Sequence, residues 1–240
     1  MYFNGPITFK GTSSNTYPLT ITTPPQVTHP EIKGETYTIP GRDGELISNE
    51  TYKGNAEIRV TFAMVAADSA NTANSYAQKL RAIRQWLSGP GKLIIGDSTD
   101  SYYEVLKTTI VTENRVILRY GIIEVAFTVY PYEFLNTGDT GITSFPITNN
   151  ADYARPLYKI TGTGSGTLTV NSKTMTYTVD GNLYIDTRRL IAYKLDNGSK
   201  LNRSDKISGD YDNLILKPGS NSVSATTGTL EVTPRWGYAL

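Results

Sequence analysis

The sequence predicts a mainly β protein: an N-terminal β-sandwich with one packed α-helix, then a C-terminal β-sandwich of jelly-roll type. Three observations carry this expectation. Apolar residues alternate with polar ones at Ile58, Val60, Phe62 and Met64 and again at Ile123, Val125, Phe127 and Val129, the period of strands buried on one face. Between these runs Ala73, Tyr76, Leu80, Ile83 and Leu87 recur at spacings of three and four, which makes one apolar stripe on a helix. Beyond residue 140 only short alternating runs remain, among them Leu168/Val170, Met175/Tyr177/Val179 and Leu183/Ile185, separated by turn signals.

Taken along the chain, the first punctuation is Ile39-Pro40-Gly41-Arg42-Asp43-Gly44. Pro40 fixes its own φ and the glycines tolerate positive φ, so a sharp turn is expected there. The helix is expected over Ser69 to Leu87, capped by Asp68 or Ser69, about 28 Å long and stopped by Gly89-Pro90-Gly91. The polar, glycine-bearing stretch Asn136 to Gly141 follows the aromatic cluster Tyr130, Tyr132 and Phe134, and the expected domains are 1–138 and 139–240. In the second domain Asp180-Gly181 and Asn197-Gly198 are expected hairpin turns, and Leu214/Leu216 and Leu230/Val232 further strands.

The chain of 240 residues has 23 basic and 22 acidic residues and a formal charge of +1, so no global field draws it to DNA or to an anionic membrane. The longest apolar runs fall far short of the roughly 20 residues of a membrane-spanning helix. Without cysteine and without a secretory-type start, a soluble protein folded in a reducing cytoplasm is expected. Tyr, at 17 residues, outnumbers the 6 Phe and 2 Trp, which suits both strands and protein interfaces.

No catalytic constellation is legible, and no enzyme, cofactor or metal site is expected. The single histidine, His29, lies in a proline-rich loop without companion ligands or a nucleophile motif. Gly162-Thr163-Gly164-Ser165-Gly166 precedes a strand pattern rather than a helix, so it reads as a flexible hairpin or linker and not a phosphate loop. Asp196-Asn197-Gly198 and Asp210-Tyr211-Asp212-Asn213 lack the spacing of a calcium loop. Trp236 falls in register with Leu230, Val232 and Pro234, a core-facing pattern, and strong glycan binding is therefore not expected. The helix carries Lys79, Arg81 and Arg84 and no acidic residue. Two explanations stand: a solvated face suited to the helix C-terminus, or a subunit interface for an acidic partner with Trp86 as its aromatic anchor.

The ordered set of Phe3-Asn4-Gly5, the Gly41-Arg42-Asp43-Gly44 turn, the helix, Lys92-Leu93-Ile94-Ile95-Gly96-Asp97 and Val129-Tyr130-Pro131-Tyr132 resembles the distal tail (Dit) proteins of long-tailed bacteriophages. Leu216 to Val223 resembles the turn and strand of their galectin-like second domain. The resemblance implies Gly41, Arg42, Asp43, Gly44 and Pro131 as structural-motif residues. It also implies a structural baseplate hub at the virion tail tip, assembled in the host cytoplasm as a homo-hexamer. The N-terminal domains would form a ring through which DNA passes without specific binding. Its partners would be the tail tube protein, the tail-associated hub protein and receptor-binding proteins or fibres attached to outward galectin-like domains. A tail tube protein and a carbohydrate-binding module are the alternatives.

Overall fold

The two alternating runs of the first half are neighbouring antiparallel strands, with Ile58 opposite Phe127, Val60 opposite Val125 and Phe62 opposite Ile123. The computed structural model describes residues 5–47, 52–65, 73–96, 100–117 and 120–240. It is mainly β with one α-helix among the described residues, and it divides into Met1–Glu133 with Leu240, and Phe134–Ala239.

The first unit runs β1 (Ile7–Phe9), β2 (Thr12–Ser13), β3 (Leu19–Thr28), β4 (Ile32–Lys33), β5 (Thr36–Tyr37), β6 (Leu46–Ile47), β7 (Tyr52–Lys53), β8 (Ala56–Val65), α1 (Ala73–Trp86), β9 (Gly91–Ile95), β10 (Ser101–Ile117) and β11 (Tyr120–Leu135). Its main strands form one hydrogen-bonded path, β3-β8-β11-β10-β9-β1-β2. The alternation buries Ile58, Val60, Phe62 and Met64 of β8 and Ile123, Val125, Phe127 and Val129 of β11 on one face. Helix α1 contributes Tyr76, Leu80, Ile83 and Trp86 to that same core, and Leu87 just after it joins them. Each such side chain adds about 1.5–3 kcal/mol on burial. The expected start of the helix and its caps, Asp68 or Ser69, lie outside the described residues. Its last turn closes with Leu87 N–H donating to Ile83 O at 2.9 Å, and Gly89 follows at φ +74°. Lys10 donates from Nζ to Ser88 O just beyond the helix end, a cation where the helix dipole favours one.

The second unit contains β12 (Ile147–Asn149), β13 (Tyr153–Ala154), β14 (Leu157–Val170), β15 (Lys173–Asp186), β16 (Ile191–Asp196), β17 (Ser199–Asn202), β18 (Ile207–Ser208), β19 (Gly219–Asn221), β20 (Val223–Ala225), β21 (Thr229–Thr233) and β22 (Trp236–Ala239). A 7-stranded sheet runs β17-β16-β15-β14-β20, with β18 beside β15 and β21 beside β14; β12 pairs with β19 and β13 with β22. The large sheet supplies Tyr158, Ile160, Leu168, Val170, Met175 and Ile185 to a core that Ile147, Ala154, Leu214 and Leu216 complete. The turn before β19 is held by Asn221, fully buried, whose amide donates to Lys217 O at 2.7 Å and Gly219 O at 2.8 Å while its oxygen accepts from Lys217 N–H at 2.9 Å.

Two turn expectations are corrected here. Gly162 to Gly166 is not a linker but the middle of the 14-residue strand β14. Its glycines face a chain segment that packs against the strand: a Cβ on Gly162 would lie 3.0 Å from Gly228 Cα, and one on Gly164 3.4 Å from Thr227 Cγ2. Asp180-Gly181 likewise lies inside β15, paired with Thr163 and Gly162, and the actual hairpin turn is Asn171-Ser172 at φ +46° and +69°. Both turn residues in the left-handed region is the backbone of a type I′ hairpin. Asn197-Gly198 does form the expected turn, at φ +48° and +83°. The expected boundary at 138/139 falls inside the second unit, because Arg235 N–H donates to Gly138 O at 2.8 Å and Trp236 Nε1–H to Thr137 Oγ1 at 3.1 Å. Trp236 is half-buried against the core of that unit.

Each unit holds a tyrosine that resists ionisation, Tyr103 half-buried in the first and Tyr158 fully buried in the second. Burial, reinforced by the Glu133 carboxylate, pushes Tyr103 up to about 12, and burial pushes Tyr158 further still. An unfolded tyrosine releases its proton near 10 while these retain theirs, so the unfolded state binds fewer protons and stability falls as pH rises through roughly 10 to 12. The expected slope is up to about 1.4 kcal/mol per pH unit for each residue. Tyr158→Phe loses the hydrogen bond to Leu214 O at 2.7 Å. It should therefore unfold at a lower temperature at neutral pH, yet lose less on going to pH 11, as thermal unfolding across that range would register. An unchanged slope would contradict the assignment.

Candidate subunit interface

The Ile39–Arg42 segment is a β-turn in which Arg42 N–H donates to Ile39 O at 3.2 Å. Pro40 occupies the second position and Gly41, at φ +83°, the third, the type II arrangement that needs a residue free to take positive φ. The turn caps an arm: β5 pairs with β6, Thr36 opposite Ile47, and β4 with β7, Ile32 opposite Lys53. Every residue from Glu31 to Glu45 is exposed, including Arg42 and Asp43. Ile32 is 67% exposed, Tyr52 66%, Tyr37 52% and Ile39 44%. At the base of the arm Lys53 donates from Nζ to Leu240 O at 3.1 Å, and Leu240 N–H donates to the carbonyl of Pro131, which is buried in β11. Gly41–Gly44 thus stands at the arm's tip and Pro131 near its root.

The basic helix face divides by residue. Arg84 makes a two-pronged ion pair with Glu113 of β10, Nε to Oε2 at 3.0 Å and Nη2 to Oε1 at 2.7 Å, so its charge is engaged within the unit. Lys79 is half-buried. Arg81 is exposed and has no hydrogen-bond or ion-pair partner among the described residues. Trp86 is corrected from anchor to core: it is 6% exposed, stacks on Tyr17 at 5.0 Å, meets Phe9 edge-on at 6.3 Å, and donates from Nε1 to Phe9 O at 3.0 Å. A helical wheel places it at the flank of the stripe, but β1 and Tyr17 widen the buried arc to include it.

The arm was not legible as a surface in the sequence. Its short apolar repeats, Tyr37/Ile39 above all, look like an ordinary edge strand. A second exposed apolar stretch, Val111, Val116 and Ile117, lies at the far end of β10 and was missed for the same reason. His29 is exposed. Asp210 acts as a cap, its Oδ1 accepting from Asp212 N–H at 2.9 Å, and Asp212 pairs with Arg155 at 2.8 Å. Among the described residues no three His, Cys, Asp or Glu side chains gather to hold a metal, and no helix is long and apolar enough to cross a membrane.

The two units are mainly β, the first an antiparallel sheet with one helix among the described residues and an exposed two-ladder arm, the second built on a 7-stranded sheet. The family model of the phage tail protein RIFT-related domain matches residues 10–129, and the chain belongs to that family. Among solved structures, the chain is similar to the Dit protein of phage SPP1, described as a paradigm of the hub adsorption apparatus in phages infecting Gram-positive bacteria, with a TM-score of 0.68 at 15% identity over 95% of this chain and 96% of that one. It is also similar to a chain of the phage P2 baseplate in its activated, calcium-bound conformation, with a TM-score of 0.52 at 9% identity over 92% and 91%. These likenesses establish a shared fold across both units. No curated protein matches the sequence.

Proposed function

We propose that the chain is a distal tail protein: a structural subunit of a hexameric baseplate hub that joins the tail tube to the tail-associated hub protein and leaves an axial channel for DNA. The single observation that carries this reading is the fold shared with the SPP1 Dit protein over nearly the whole of both chains, in a member of the phage tail family. The first unit supplies the ring and the second unit is the platform for receptor-binding proteins or fibres. Near-neutral charge suits a channel that passes DNA without retaining it.

The arm supports a ring in particular. The exposed apolar side chains at Ile32, Tyr37, Ile39 and Tyr52 suit an arm that seats on a different surface of the neighbouring copy. That is a heterologous contact, which either closes into a ring or grows into a filament. Arg81, exposed beside the engaged Arg84, is the helix residue left to meet an acidic neighbour. Two variants test these contacts by native mass spectrometry. Ile32→Asp with Ile39→Asp should abolish the oligomer while thermal stability shifts by less than about 0.5 kcal/mol, as exposed substitutions usually do. Arg81→Glu should weaken assembly by several kcal/mol if the helix face docks. Normal rings from the arm variant would remove the arm from the interface; normal rings from Arg81→Glu would leave the helix face merely solvated.

A further inference from the structure

The face of the β14–β15 ladder turned away from the core is lined with hydroxyl groups. Antiparallel register sets Thr167 opposite Thr176 and Ser165 opposite Thr178. Beside them runs Asp205–Ser208, fixed where β18 pairs with Thr176 and Tyr177 of β15. Together these elements line an open cleft of about 610 Å³, within the roughly 300–1,000 Å³ of small-molecule sites. A smaller cavity of about 110 Å³ shares Thr178 and Lys206 with it and adds Asn182, Lys194 and Arg203.

We propose that this cleft binds a neutral oligosaccharide, an activity separate from assembly. The chemistry of the lining selects the ligand class. Each hydroxyl offers one donor and two acceptor lone pairs, and the internal bonds use only part of that capacity: Ser165 and Thr178 share one at 3.0 Å, and Thr176 donates to Ser208 O at 3.3 Å. The charges nearly cancel, since Lys206 pairs with Asp205 at 3.1 Å and Lys194 with Asp180 at 3.2 Å, so a polyanion gains little there. A bound peptide would need pockets for alternate apolar side chains, whereas the lining is mostly the hydroxyls of Ser165, Thr167, Thr176, Thr178, Ser208 and Thr226 beside the Asp205–Lys206 pair, with Ile207 and Tyr177 as its apolar part. A polyhydroxylated, uncharged ligand matches such a surface. The sequence expectation of no strong glycan binding rested on the placement of one tryptophan; here the recognition is by hydrogen bonds without an exposed stacking ring, which implies weak binding.

Saturation-transfer difference NMR on the full-length protein, with maltotriose, cellotriose and chitotriose titrated to about 10 mM, an order above a millimolar dissociation constant, tests this directly and works whether or not the protein forms rings. At least one trisaccharide should give a saturable signal. The signal should fall at least tenfold in affinity in Thr167→Val with Thr178→Val, and also in Asp205→Ala, an exposed change that spares the fold. Thr169→Val, outside the cleft, should bind as the parent does. No saturable signal from any of the three sugars, or unchanged affinity in Asp205→Ala and the double variant, would overturn the proposal.

Discussion

Trp86→Ala is expected to destabilise the isolated chain by about 3–5 kcal/mol, the range for removing a large aromatic from a packed core. The ring of Trp86 lies between Tyr17 and Phe9, and its indole N–H is satisfied by the Phe9 carbonyl at 3.0 Å. Truncation therefore leaves a cavity between α1 and β1, removes two aromatic contacts and strands a buried acceptor. The loss should be seen in denaturant unfolding of the protein alone, with no partner present. An exposed interface anchor behaves in the opposite way, leaving unfolding unchanged and lowering only assembly, so unaltered stability of the variant would return Trp86 to the surface.

The second large effect is expected at Asp186. Its carboxylate is 1% exposed and accepts from Arg235 Nη1 at 2.8 Å and from the backbone N–H groups of Arg188 and Arg189, each at 3.2 Å. Removing one partner of a buried ion pair commonly costs about 3–5 kcal/mol, because the other charge is left without compensation. Asp186→Ala should reach that range, since it also orphans two backbone donors at the end of β15. Asp186→Asn retains an acceptor for the backbone and should cost less. Denaturant unfolding of both variants provides the check, and equal, sub-kilocalorie losses would show that the turn after β15 does not depend on this carboxylate.

How far the sequence reached depended on whether the reason for a residue lay near it in the chain. The strands β8 and β11 and the body of α1 were legible because period and burial agree locally, from Ile58 to Met64 and from Tyr76 to Leu87. The Gly162–Gly166 run was misread because its cause is remote: the glycines make room for the segment around Thr227 and Gly228, which only the fold brings there. Asp180-Gly181 carries a strong local turn signal that the long ladder with β14 overrides, while the less conspicuous Asn171-Ser172 makes the turn. Of the candidate interface, the tip Gly41–Gly44 was visible as punctuation. The arm behind it was not, since exposed Ile32 and Tyr37 look locally like any half-buried strand. The face on which Thr167 and Thr176 meet likewise depends on a register that sequence does not specify.

The central claim, a hub that closes on itself, is tested most directly by electron microscopy of the full-length protein mixed with its tail tube and tail-associated partners, beside native mass spectrometry of the same mixture. The account predicts closed sixfold rings limited to one or two layers at the end of a tube. Monomers at every concentration with partners present, or rings that stack without limit into tubes of this chain alone, would contradict it.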